Sequence, residues 1–273
     1  MQLTTIRTET GTFVARRERD RLVILPFSSM TELLRQADWR DAAAVDGEEI
    51  LAQEARLAQT LNPGKTMCVG LNYRSHIAET GRPTPTHPTL FAKYPESLTA
   101  PDAPIRLPAQ SDQVDWEVEL GVVIGKPAYQ VSEAEAVAFI AGYTVVNDVS
   151  MRDWQARTTQ WFQGKNFQSS TPVGPYLVTP EEIDHARDLR ISCTVGGLVM
   201  QDGRTSDLLF DPAALVSYIS QFITLMPGDL IATGTPGGIG NARNPQRFLS
   251  AGELLESEIE GIGRLTNLIA TTA

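Results

Sequence analysis

The stretch Asp115-Trp116-Glu117-Val118-Glu119-Leu120-Gly121-Val122-Val123-Ile124 decides how the rest of the chain is read. Successive side chains of a β-strand point to opposite faces. Trp116, Val118, Leu120, Val122 and Ile124 therefore share one apolar face, and Asp115, Glu117 and Glu119 share the other. Three carboxylates in line repel one another unless something compensates. Two readings stand at this point: a solvated edge strand, or a strand whose acidic end holds a cation. Glu and Asp are poor strand formers, and the run continues into wholly apolar Val122-Val123-Ile124, which brings the acidic end close to a core.

Outward from this strand, Tyr143-Thr144-Val145-Val146-Asn147-Asp148 reads as a second strand ending in an acid. Asp148 either caps a following helix or joins Glu117 and Glu119. If the three converge, they form an all-oxygen site, and hard oxygen ligands select Mg²⁺ or Mn²⁺. Zinc would call for His or Cys, and the chain has only 3 His and 2 Cys. His76 lies three residues before Glu79, so a helical turn would place them on one face. A carboxylate there would orient the imidazole and favour its charged form, as suits a general base acting on water. The alternative is a surface His with a chance neighbour. His87 and His185 lie in a proline loop and a charged stretch, and both read as exposed.

The remaining texture is short strands punctuated by Gly and Pro. Thr12–Arg16 with Arg21–Leu25 reads as a hairpin, Ser29 caps a helix start, and an acidic, Ala-rich helical stretch runs to about Gln59. Asn62-Pro63-Gly64 is a turn, and it divides the chain into a small N-terminal α+β unit, residues 1–62, and a larger domain, residues 63–273. Within the larger part, Thr66 to Gly70 is a strand. Ser132 caps an amphipathic helix to Ile140. Residues 189–195 and 198–200 form a hairpin about Gly196-Gly197, and Pro212 opens a helix to Thr224. Thr233-Gly234-Thr235-Pro236-Gly237-Gly238-Ile239-Gly240 is a glycine-rich turn after an apolar strand. It lacks the Lys-Ser/Thr of a phosphate-binding loop and the βαβ setting of a dinucleotide site. The fold class is α+β with strands dominant.

A formal charge of −10 excludes a general nucleic-acid binder, which needs clustered Lys and Arg, and suits an anionic membrane surface poorly. No apolar run approaches the ~20 residues of a membrane span. Met1-Gln2-Leu3-Thr4-Thr5 carries no basic segment before an apolar one, so no secretory signal is expected. Cys68 and Cys193 sit in apolar strand-like runs and read as buried free thiols, in keeping with a reducing, cytoplasmic setting.

Taken in order, the segments resemble the fumarylacetoacetate hydrolase family. They are Val69-Gly70-Leu71-Asn72-Tyr73 with His76 and Glu79, Phe91-Ala92-Lys93, Glu117 to Gly125, and Asn147-Asp148-Val149-Ser150-Met151-Arg152-Asp153. Gly164-Lys165-Asn166-Phe167, Pro227-Gly228-Asp229, Thr233 to Gly240 and Glu260 to Asn267 complete the set. One mild departure is Ala251-Gly252-Glu253, where Pro-Gly-Asp is common. The resemblance implies a β-rich roll of mixed sheets, often a homodimer. It implies that Glu117, Glu119 and Asp148 hold Mg²⁺ (or Mn²⁺), that Lys165 is the active-site lysine, and that His76 with Glu79 activates water on a lid-like segment. It implies that Gln155 contacts substrate and that Thr235 holds a substrate carboxylate.

The expected reaction is hydrolysis of a C–C bond in a β-diketo acid of the acylpyruvate or fumarylpyruvate type, through an enolate that the metal and Lys165 stabilise. The same scaffold supports oxaloacetate decarboxylation, isomerisation of a diene-dioate, or a ureidoglycolate-type lyase, because fold does not fix chemistry. A catalytically silent binding or assembly protein is the reading from a different class.

Overall fold

The computed structural model describes residues 1–271. Twelve strands form one mixed sheet, and five form a second. In the large sheet the strand Val118–Ile124 lies between Ile140–Asn147 and Leu230–Ala232, antiparallel to both. Leu230–Ala232 pairs in parallel with Thr66–Gly70, which pairs with Thr89–Lys93 at the edge. The smaller sheet is built around Arg190–Val195 and Leu254–Ile259. The architecture is the β-dominated α+β expected, with only short helices.

The two faces of Val118–Ile124 serve two cores. Trp116, Val118, Leu120, Val122 and Ile124 pack with Ile191, Cys193, Leu255 and Leu265 of the smaller sheet. Val123, with Val146 and Leu230, packs instead against Leu3, Val14, Met30 and Leu33. The N-terminal residues thus share a core with the large sheet, and Leu3 pairs with Leu177 to extend it. Both thiols are free and buried.

Several local readings hold. Gly11–Glu18 and Arg21–Ile24 form the hairpin, Ser29 caps Met30–Leu34 by accepting from the Glu32 N–H, and Asp211 caps Pro212–Ser220. Gly196 and Gly197 take φ of 57° and 79° in the turn between Arg190–Val195 and Leu198–Arg204, as a tight hairpin requires. Two readings fail. The helix expected to reach Gln59 is only Trp39–Ala43, because Glu49–Leu51 pairs with Arg21–Ile24 as an edge strand and tertiary pairing overrides helical propensity. His185 is half-buried in a turn of left-handed backbone, φ 55°, and not exposed.

Candidate active site and metal centre

The strand read over Asp115 to Ile124 is interrupted at Trp116-Glu117, and that interruption builds the site. Val114–Asp115 pairs with Ser150–Met151, whereas Val118–Ile124 pairs with Ile140–Asn147. Across the gap, the Glu117 N–H donates to Asn147 Oδ1 at 2.9 Å and the Asp148 N–H to the Glu117 carbonyl at 2.8 Å. The register that pairs Val118 with Asn147 sets Glu117 opposite Asp148, while Glu119 lies two residues along on the same face. Ligand atoms of Glu117, Glu119 and Asp148 consequently lie within 4.8 Å of one another, all three residues buried. Asp115, on the same sequence face, is drawn off: its carboxylate meets Arg152 Nε at 2.8 Å and the Gly240 and Asn241 N–H groups at 2.7 and 2.9 Å.

Three buried cations answer four buried acids. Lys165 Nζ donates to Glu117 Oε2 at 2.7 Å and to Asp148 Oδ2 at 2.8 Å. Lys93 Nζ donates to Asp148 Oδ1 at 2.6 Å and to the Lys165 carbonyl. Arg152 Nη2 lies 2.7 Å from Glu117 Oε1. Burial pushes the Glu117 carboxyl up, but Lys165 and Arg152 outweigh it and hold it at about 2. Burial would lower Lys165, yet Asp148 and Glu117 raise it above the usual lysine range, so it stays an ammonium. Glu119 differs: its polar partner is the Gly234 N–H at 2.8 Å, and among the described residues no cation pairs with it. Burial first, then Asp148 and Glu117, push its carboxyl well above the ordinary value. Nearby, the Tyr73 hydroxyl is buried without a hydrogen-bond partner among the described residues, and burial and Glu119 raise it strongly. The centre is thus short of positive charge at Glu119. An oxygen-only donor set with that deficit fits a hard divalent cation.

The other expected residues gather at the same cavity, about 260 Å³, whose walls include Glu117, Glu119, Lys165, His76, Gln155 and Thr235. His76 stands on the helix Arg74–Thr80 with its Nδ1 3.2 Å from Glu79 Oε2. Gln155 Oε1 accepts from Arg152 Nη1 at 2.9 Å. The Thr235 hydroxyl donates to the Val118 carbonyl at 2.9 Å and accepts from Gln201 Nε2 at 2.7 Å. Gln201 also accepts the Val118 N–H at 3.0 Å, so it stitches the glycine turn to the acidic strand. Asp148 and Lys93 lie beneath the cavity, outside its walls.

Sequence reasoning gave no role to Lys93, Arg152, Gln201 or Asn147. Lys93 and Arg152 fall inside the motifs but carry no local pattern of their own, since their partners are distant in sequence. A further cation, Arg82, also borders the cavity.

Fold and site together define an enzyme class, the mixed-β proteins with a buried acidic centre open to a small polar cavity. The chain belongs to the fumarylacetoacetate hydrolase family: residues 65–270 match the family model described as fumarylacetoacetate (FAA) hydrolase C-terminal. It is 44% identical over 215 residues to a mitochondrial oxaloacetate tautomerase of Homo sapiens, covering 78% of this chain and 68% of that protein. It is 48% identical over 202 residues to 2,4-didehydro-3-deoxy-L-rhamnonate hydrolase of Sphingomonas sp. (strain SKA58), covering 73% and 71%. Among solved structures, the fumarylacetoacetate hydrolase of Exiguobacterium antarcticum superposes with a TM-score of 0.90 at 30% identity, covering 100% of both chains. Among the described residues, no helix is long and apolar enough to cross a membrane.

Proposed function

We propose that this enzyme hydrolyses the C–C bond of a β-diketo acid, a 2,4-dioxo acid of the acylpyruvate type, giving a carboxylic acid and pyruvate. The observation that carries the reading is that His76, held at Nδ1 by Glu79, borders the same cavity as Glu117, Glu119 and Lys165. A base for water and a centre for an oxo acid therefore face one substrate.

Glu117, Glu119 and Asp148 would hold a divalent cation, Mg²⁺ or Mn²⁺, which when bound supplies Lewis-acid polarisation of the substrate's oxo and carboxylate oxygens. Glu79 fixes the His76 ring through Nδ1, leaving Nε2 for water. His76 takes one proton from that water, and the hydroxide adds to the C4 carbonyl carbon. The C3–C4 bond breaks, its electron pair passes into an enolate of the pyruvate half, and the proton on His76 returns to C3. The Lys165 ammonium, itself buried, faces the developing negative charge as a preorganised fixed charge. Gln155 and Thr235 border the substrate, and the Thr235 hydroxyl would turn from the Val118 carbonyl to donate to the substrate carboxylate.

The name of the Sphingomonas relative supports the substrate class, since a 2,4-didehydro-3-deoxy sugar acid carries oxo groups at C2 and C4. The second reading, tautomerisation of oxaloacetate, is favoured by the name of the human relative. It would use His76 as proton carrier without addition of water to carbon. A homodimer in a reducing compartment completes the proposal, the compartment supported by two buried free thiols.

The test is NMR product analysis with acetylpyruvate and with enol-oxaloacetate, each with Mg²⁺, Mn²⁺ or chelator. Cation-dependent release of equal acetate and pyruvate establishes the hydrolase. An intact diketone alongside accelerated enol-to-keto conversion of oxaloacetate replaces it by the tautomerase.

A further inference from the structure

The cavity has an apolar end that the chemistry above leaves unused. Phe91 and Trp161 border it. Their rings meet edge to face, with centroids 5.7 Å apart and planes at 74°. Lys165 Nζ stands over the Phe91 ring, 5.1 Å from its centroid. Trp161 also rests on the bare backbone of Gly70: a Cβ there would overlap the ring at Cζ3 and lie 2.8 Å from Cη2. The indole is backed by a strand and by an aromatic ring, so it cannot sink further toward the sheet.

The sheet order fixes the side of the reacting atoms on which this end lies. Thr66–Gly70 has Leu230–Ala232 on one flank and Thr89–Lys93 on the other. Thr235, the proposed partner of the substrate carboxylate, follows the first of these strands, and Phe91 lies in the second. Lys165 joins the two sides, paired with Glu117 and Asp148 and standing over Phe91. A 2,4-dioxo acid with its carboxylate toward Thr235 and its C3 beside Lys165 therefore points its C4 substituent at Phe91 and Trp161.

We propose that Trp161 is a specificity-determining residue that closes the acyl end of the cavity, so that the substrates are acylpyruvates with short aliphatic acyl chains. This rests on the acylpyruvate reading above. A chain that fits gains by burying its methylenes against the two rings. A longer one has to displace an indole that Gly70 and Phe91 hold in place, and close-packed groups yield only at a cost. Arg82 is the competing feature, since a guanidinium at the cavity would favour a carboxylate on the acyl chain. It is exposed, where solvent weakens such a pair, whereas Trp161 is half-buried and held on two sides.

The experiment is steady-state kcat/KM for wild type and Trp161→Ala, both with Mg²⁺, on acetyl-, butanoyl- and octanoylpyruvate and on succinylpyruvate, with circular dichroism confirming each fold. Succinylpyruvate has the butanoyl chain length with a terminal carboxylate. The wild type is expected to use octanoylpyruvate at least about tenfold less efficiently than butanoylpyruvate, the least that one misfitting methylene is worth. Trp161→Ala is expected to raise the octanoyl-to-butanoyl ratio by about tenfold or more. An unchanged ratio in the folded variant overturns the proposal. So does a wild type that takes octanoylpyruvate as readily as butanoylpyruvate, which decides the matter even if the variant does not fold. A wild-type preference of about tenfold or more for succinylpyruvate over butanoylpyruvate also overturns it and moves specificity to Arg82. A wild type that hydrolyses none of the four removes the hydrolase reading, and this proposal with it.

Discussion

Glu79 Oε1 accepts the Gly238 N–H at 2.9 Å, and this bond fastens the helix that carries His76 to the glycine turn that borders the acidic centre. Its other oxygen faces His76 Nδ1, so one carboxylate both anchors and orients the proposed base.

Substitutions at the pair should affect turnover and leave cation binding alone. His76→Ala is expected to lower kcat by about 10²–10⁴, the usual worth of a positioned general base. Glu79→Gln keeps an oxygen for Gly238 but loses the charge beside His76, so a smaller fall in kcat is expected. Steady-state kinetics on acetylpyruvate beside calorimetric Mn²⁺ titration checks both. Unchanged kcat in His76→Ala removes the pair from the mechanism.

Glu117→Gln is expected to abolish divalent-cation binding and to destabilise the fold. Glu117 is 6% exposed and answers both Arg152 and Lys165. Removing one partner of a buried ion pair leaves uncompensated charge and costs about 3–5 kcal/mol. Urea unfolding of metal-free protein measures that cost, and a loss under about 1 kcal/mol would mean the buried cations find other partners.

Gly238→Ala should damage fold and catalysis together. Gly238 has φ of +104°, and a Cβ there would lie 2.1 Å from the Met200 carbonyl oxygen. The turn has to move, and the Glu79 anchor moves with it. A lower melting temperature and a lower kcat are expected, with Mn²⁺ affinity less affected. A variant that melts and turns over as wild type would show the turn to be adaptable.

Native protein should resist thiol reagents. Burial raises the thiols of both Cys68 and Cys193, so little thiolate forms and reagents have no access. Ellman's reagent is expected to count no fast-reacting thiol in native protein and 2 in guanidinium, the number the chain contains. Fast labelling under native conditions would mean that one of the two strands opens readily.

By itself the sequence determined the strand periodicity, the two faces of residues 116–124, the hairpins and caps, and an ordered motif set specific enough to name the family. Those features depend on neighbours within a few residues, or on motif identity. The extent of the Ala-rich helix did not follow, because pairing of Glu49–Leu51 with Arg21–Ile24 outweighs local helical preference. Nor did the separation of Asp115 from Glu117 and Glu119, since strict alternation treats all three alike. The tertiary structure separates them by breaking the strand at residues 116–117 and drawing Asp115 to Arg152. It alone decided which cation faces which acid, because Lys93 and Asp148 are 55 residues apart in sequence and meet only through the sheet. Charge balance in a buried centre is a property of the assembled strands, and no local pattern encodes it.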